Sequence, residues 1–137
     1  MAYFGKYNYT LDAANRIIVP SRFREALGVE AVFFKAEDGC LYLYDTPEFQ
    51  RVIAPLKPLS RTNEGRQQLR LVMERVIAVS VDRNGRLVIP ADCVEHASLK
   101  SEVTILGADN RIEVWDKDLY SKAMAGMETA ELPDIQF

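Results

Sequence analysis

One short stretch of this chain occurs twice, and that repeat restricts the fold more than any other feature. Leu11 to Phe23 reads LDAANRIIVPSRF, and seventy positions later Val81 to Cys93 reads VDRNGRLVIPADC. Superposed, the copies pair Asp12 with Asp82, Asn15 with Gly85, Arg16 with Arg86 and Pro20 with Pro90. Between Arg and Pro lie only branched apolar residues: Ile17, Ile18 and Val19 in one copy, Leu87, Val88 and Ile89 in the other. Two copies are too few for a solenoid, so the pattern implies one small unit duplicated and packed against itself.

Each copy reads as turn chemistry feeding a strand. Asn15 and Gly85 share a tolerance for positive φ, so that position demands left-handed backbone. Asp12 and Asp82 sit where a side-chain oxygen can accept from amides two residues on and close the turn. Three consecutive branched aliphatics then suit a strand buried on both faces, which Pro20 and Pro90 end. The arginine has two compatible readings. It can pair with the aspartate four residues earlier and stiffen the turn, or offer a guanidinium from a rigid tip to a phosphate or a guanine edge.

The repeat extends beyond the motif. Met1 to Thr10 alternates aromatic and polar residues as a strand should, and SRFREAL, from Ser21 as cap to a stop at Gly28, is a short helix with Phe23 and Leu27 inward. Ala31 to Lys35 and Cys40 to Tyr44 flank an Asp-Gly hairpin turn; Val103 to Leu106 and Arg111 to Trp115 form its counterpart. Helices then open at Asp45-Thr46-Pro47, with Thr46 as cap, and at Asp116-Lys117-Asp118. Pro55 and Pro58 break the first. A linking helix follows, capped by Thr62 or Asn63, with Leu69, Val72 and Met73 as its apolar side and Arg66, Arg70 and Arg75 on a solvated face among glutamates. Val76 to Ser80 starts the second copy as a strand. The expected organisation is therefore a first unit over residues 1–58, a linking helix over 59–75, a second unit over 76–125 and a flexible acidic tail over 126–137.

A net charge of −3 argues at first against nucleic acid, but its distribution does not. Residues 1–100 carry 14 basic and 12 acidic side chains, whereas 101–137 carry 3 and 8. Eleven of the 17 basic residues are arginine, the side chain suited to bidentate phosphate and guanine contacts. No apolar run approaches the ~18 residues of a membrane span, the N-terminus lacks a signal-like apolar region, and two cysteines without metal spacing fit a reduced cytoplasmic protein. An enzyme is disfavoured. The only histidine, His96, lies three residues after Cys93 and reads as a helix-surface side chain beside a small core thiol, so no catalytic residue, metal or cofactor is expected.

The D-x-x-[N/G]-R-aliphatic-aliphatic-aliphatic-Pro element followed by SRFREAL resembles the AbrB-like regulators, and its two-copy arrangement resembles the MraZ family, over roughly residues 3 to 125. The resemblance implies an α+β, mainly β fold of two tandem swapped-hairpin, double-psi-type units forming an intrachain pseudo-dimer barrel with short flanking helices. It also implies a cytoplasmic, nucleoid-associated bacterial transcriptional regulator, a repressor, binding double-stranded promoter repeats of the division and cell-wall gene cluster as a ring-shaped homo-oligomer. Carried over by residue, the DNA-binding set is Arg16 and Arg86, with Arg22 and Arg24 after the first proline, and Lys6 and Arg83 added; Asp12, Asn15, Asp82 and Gly85 build the turns. The second copy has Asp92 and Val94 where the first has Arg22 and Arg24, so the first copy is expected to provide the main DNA surface. The alternative is an oligomeric, antitoxin-like interaction module that does not bind DNA, with aromatics such as Tyr42, Tyr44, Phe49, Trp115 and Tyr120 at an interface or in the core.

Overall fold

The computed structural model describes residues 2–137. The chain runs β1 (Tyr3–Thr10), β2 (Arg16–Ile18), α1 (Ser21–Leu27), β3 (Glu30–Lys35), β4 (Leu41–Asp45), α2 (Thr46–Ile53), α3 (Asn63–Met73), β5 (Val76–Ser80), β6 (Arg86–Val88), α4 (Ala91–His96), β7 (Glu102–Asp109), β8 (Ile112–Asp116) and α5 (Lys117–Ala123). It is an α+β, mainly β protein. Six strands form one antiparallel sheet in the order β1-β7-β8-β4-β3-β5, and β2 pairs with β6 in a separate two-stranded ribbon. The expected barrel does not close: β1 and β5 are the edges of an open sheet.

The order has a symmetry of its own. Exchanging β1, β3 and β4 for β5, β7 and β8 returns the same order read from the other edge. Each half keeps its hairpin, β3–β4 or β7–β8, and lends its first strand to the hairpin of the other half. The two hairpins meet along β4 and β8, where Leu41 faces Val114 and Leu43 faces Ile112. The larger of two apolar clusters draws Ile17, Phe23, Leu27, Phe33 and Leu43 from the first half and Leu87, Ile89, Cys93, Val103 and Ile105 from the second, and a smaller one gathers Val32, Tyr44 and Phe49.

Several local expectations change once packing is known. Asp45 caps α2, its Oδ1 accepting from the Glu48 amide, whereas the Thr46 hydroxyl donates to the Glu30 carbonyl. Pro20 occupies the cap position of α1, which has no side-chain cap. Pro55 and Pro58 end the α-helical ladder, yet Ala54–Arg61 continues as a 3-10 helix, because a proline φ near −65° suits that geometry. The linking helix begins only after Thr62, whose hydroxyl accepts from Gly65. Arg66 and Arg70 donate to the Ser60 carbonyl and to Gln67, whereas Arg75 lies beyond the helix and donates to the Lys35 carbonyl. Within the acidic tail, Met127–Thr129 forms one 3-10 turn.

The second copy's helix is tied to the first copy's hairpin. Asp92 pairs with Lys35 at 2.8 Å, and His96 Nε2 donates to the Ala36 carbonyl at 2.8 Å. Cys93 beside it is fully buried, and burial pushes its thiol up to about 11; Cys40, equally buried, rises to about 12. Neither thiol is poised as a nucleophile.

Candidate nucleic-acid interface

The paired turns are built as their residue types require. Asn15 has φ 57° and Gly85 φ 76°. Asp12 Oδ1 accepts from the Ala14 and Arg16 amides at 2.9 and 2.8 Å, and Asp82 Oδ1 accepts from Asn84 and Arg86 at 2.8 and 2.9 Å. The turns also interlock. The Gly85 carbonyl accepts from the Val19 amide and the Asn15 carbonyl from the Ile89 amide, both at 2.8 Å. Each left-handed residue thus anchors the residue before the other copy's proline.

This interlock sets both arginines on one ribbon. Arg16 pairs across the strands with Val88, Ile17 with Leu87, and Ile18 with Arg86. Side chains alternate faces along a strand, so Ile17 and Leu87 enter the core and Arg16, Ile18, Arg86 and Val88 share the outer face. The exposures agree: Ile17 and Leu87 are buried, whereas Ile18 is 45 % and Val88 55 % exposed. The expectation of a strand buried on both faces is therefore corrected. A run of three aliphatics does not distinguish one covered face from two, but an outward Arg16 requires an outward Ile18 two residues on.

Arg16 is not walled in: its side chain keeps 38 % of its surface, and Nε donates to Asp12 Oδ2 at 2.8 Å. Both terminal Nη groups are without a hydrogen-bond partner among the described residues, and these are the donors a guanine edge or phosphate takes in fork geometry. The Arg86 pair is looser, with Nε 3.5 Å from Asp82 Oδ2 and no hydrogen bond of its own. We expect Arg86→Ala to weaken binding to duplex DNA less than Arg16→Ala. Gel shift measures the difference, and equal binding losses would mean that both halves share the surface equally.

The other basic candidates separate. Arg24 is half-buried: Nε donates to the Val19 carbonyl at 2.8 Å, and the guanidinium lies across Gly85, where an added Cβ would stand 2.2 Å from it. It braces one copy's turn against the other. Its counterpart Val94 packs on the core and carries no such head group, consistent with the side-chain-bearing Asn15 being tolerated opposite. Arg83 is exposed and shares a shallow cleft with Arg24, Asp82 and Gly85. Arg22 and Lys6 are exposed but sit against aromatic rings, Arg22 5.0 Å from the Phe4 centroid and Lys6 5.9 Å from that of Tyr120. The structure therefore groups Arg16, Arg86, Arg24 and Arg83 near the turns and holds Arg22 and Lys6 on the aromatic neighbours of β1.

The turns respond to acid. Hydrogen bonds from the Arg16 amide first, then from its guanidinium and the Ala14 amide, hold the Asp12 carboxyl below the usual carboxylate range. The Arg86 and Asn84 amides do the same for Asp82. A depressed folded pKa contributes stability above the unfolded value that is lost as pH falls through the folded one. The Ala14, Arg16, Asn84 and Arg86 amide resonances should accordingly shift together below about pH 4, the unperturbed aspartate range. Titration in the ordinary range, or none of the four moving, would refute the assignment.

A duplicated, mainly β chain thus fixes two aspartate-braced arginines on one outward ribbon. The comparisons with known proteins are more specific. The family model described as "MraZ protein, putative antitoxin-like" matches residues 2–71 and 76–134, and the chain belongs to the MraZ family. It is 40 % identical over 117 residues to the transcriptional regulator MraZ of Clostridium acetobutylicum, covering 85 % of this chain and 82 % of the relative. It is 39 % identical over 116 residues to the Lachnoclostridium phytofermentans regulator of that name, with coverages of 85 % and 82 %, and 38 % identical over 116 to that of Acetivibrio thermocellus, with 84 % and 81 %.

Proposed function

We propose that this chain is a transcriptional regulator that binds double-stranded promoter repeats of the division and cell-wall gene cluster, acting as a repressor at the nucleoid in the cytoplasm. Arg16 is the principal contact, Arg86 the secondary one, and Arg22, Arg83 and Lys6 add phosphate contacts. Arg24 contributes mainly by bracing the Gly85 turn. Residues 1–58 and 76–125 act as two AbrB-like units of one pseudo-dimer, joined by 59–75 and followed by the acidic tail 126–137. The observation that carries the reading is the pair of Nη groups on Arg16 that no described residue bonds, held on an outward ribbon by the Asp12 brace. The relatives' shared name of transcriptional regulator supports it.

One protomer offers a handful of basic contacts, too few for tight binding at physiological salt. A ring of protomers presenting the same turn to tandem repeats raises affinity through effective concentration. The test is a footprint on the DNA upstream of the chain's own reading frame, with binding followed against salt. Protection of spaced repeats and a steep salt dependence are expected. A second reading, an antitoxin-like module with a protein partner, is favoured by the exposed Val52, Leu71 and Met73 on α2 and α3; absence of any salt-dependent duplex binding would select it.

A further inference from the structure

The outer face of the β2–β6 ribbon alternates charge with branched hydrocarbon, and only the charge is used by the reading above. Arg16 stands opposite Val88, and Arg86 opposite Ile18. Ile18 and Val88 are about half exposed while Ile17, Val19, Leu87 and Ile89 around them are almost fully buried. Two branched aliphatics in the open, each beside an arginine whose Nη groups bond no described residue, make a patch suited to a partner that is polar and apolar at the same scale. The major groove is such a partner. It admits a two-stranded antiparallel ribbon, its guanine edges take arginine, and its hydrocarbon comes only from the 5-methyl groups of thymine. Directly opposed side chains are ~5 Å apart at Cβ and neighbours along one strand ~7 Å, which spans one to two base-pair steps.

Resting on the proposed DNA-binding function, we infer that Ile18 and Val88 are specificity determinants that read thymine methyl groups. Arg16 and Val88 read one guanine–thymine neighbourhood, and Arg86 and Ile18 read the other. The recognised repeat then holds a thymine within about two base pairs of each contacted guanine, arranged with the approximate twofold relation of the ribbon. The apolar contribution is insensitive to salt, unlike that of the arginines.

The experiment uses the full-length chain and duplexes of its own upstream region made either with thymine or with uracil, which keeps the Watson–Crick pairs and removes the methyl groups. Wild type should bind the uracil duplex at least about fourfold more weakly for each methyl group that Ile18 or Val88 would have met, with an unchanged salt slope. The double variant Ile18→Ala, Val88→Ala should bind both duplexes alike, at the affinity wild type has for uracil. A second double variant, Ile18→Thr, Val88→Thr, keeps strand-favouring side chains and guards against misfolding; it should also narrow the difference. Equal wild-type binding to both duplexes, with Arg16→Ala still abolishing it, overturns the methyl reading and leaves the DNA-binding reading standing. Wild-type failure to bind either duplex overturns both. Loss of the native oligomer in either double variant by size exclusion assigns Ile18 and Val88 to an interface between copies of this chain and overturns the inference.

Discussion

Replacing Arg16 by alanine is expected to abolish binding to promoter DNA while leaving the oligomer intact. The guanidinium is half-exposed and its only partner among the described residues is the aspartate of its own turn, so its loss opens no cavity. The turn keeps the two amide bonds to Asp12 Oδ1, which do not involve the side chain that is removed. Binding has no comparable reserve. A bidentate arginine–guanine contact contributes about 1–3 kcal/mol, or roughly 5- to 150-fold for each turn engaged. In an assembly that engages several turns the deficits multiply, and gel shift at physiological salt should detect no complex. Size exclusion should return the wild-type elution volume. Unchanged binding would remove Arg16 from the interface, and a shifted elution volume would make it a subunit contact.

The second large effect concerns stability. Gly107→Ala should lower the melting temperature by about 10 °C, because the added Cβ has nowhere to go. Gly107 faces Gly5 across β7 and β1, and Gly5 takes φ 97°. A Cβ on Gly107 would lie 2.3 Å from the Phe4 amide nitrogen and 2.5 Å from its Cα. These are backbone atoms, so relief requires the strand itself to shift. Overpacking of this kind costs about 1–3 kcal/mol and occasionally more, and in a domain of this size each kcal/mol is worth roughly 4 °C. The strain would reach Tyr3, which packs edge-on to Phe23 at 5.5 Å and donates to Asp45 at 2.8 Å. A melting temperature within about 2 °C of wild type would show that β1 adjusts freely.

What was legible in the sequence was local. The left-handed backbone at Asn15 and Gly85, the aspartate side chains closing both turns, the two hairpins and the inward Phe23 and Leu27 each follow from residue types within a few positions. The long-range pairing was not. Nothing near Tyr3 specifies that β1 lies on β7, or near Val76 that β5 lies on β3, because those choices depend on which apolar face remains open after both hairpins form. Nor did the sequence separate arginines by task. Arg22 and Arg24 flank Phe23 and read alike, yet one rests on an exposed phenyl ring and the other spans two turns, a difference set by what the second copy brings alongside. The open edges in place of a barrel have the same origin, since closure depends on pairing between strands distant in the chain.

The reciprocal loan of first strands has a consequence for synthesis on the ribosome. β1 finds no sheet neighbour until β7 has been made, so a strand made ahead of both hairpins is among the last to be seated. The β3–β4 hairpin can zip as it leaves the exit tunnel, but its outer edge stays bare until β5 follows. A nascent chain in that interval exposes tyrosine-rich strand to its neighbours on the same messenger, and registry errors between adjacent polysomal copies would yield intertwined pairs instead of self-completed protomers.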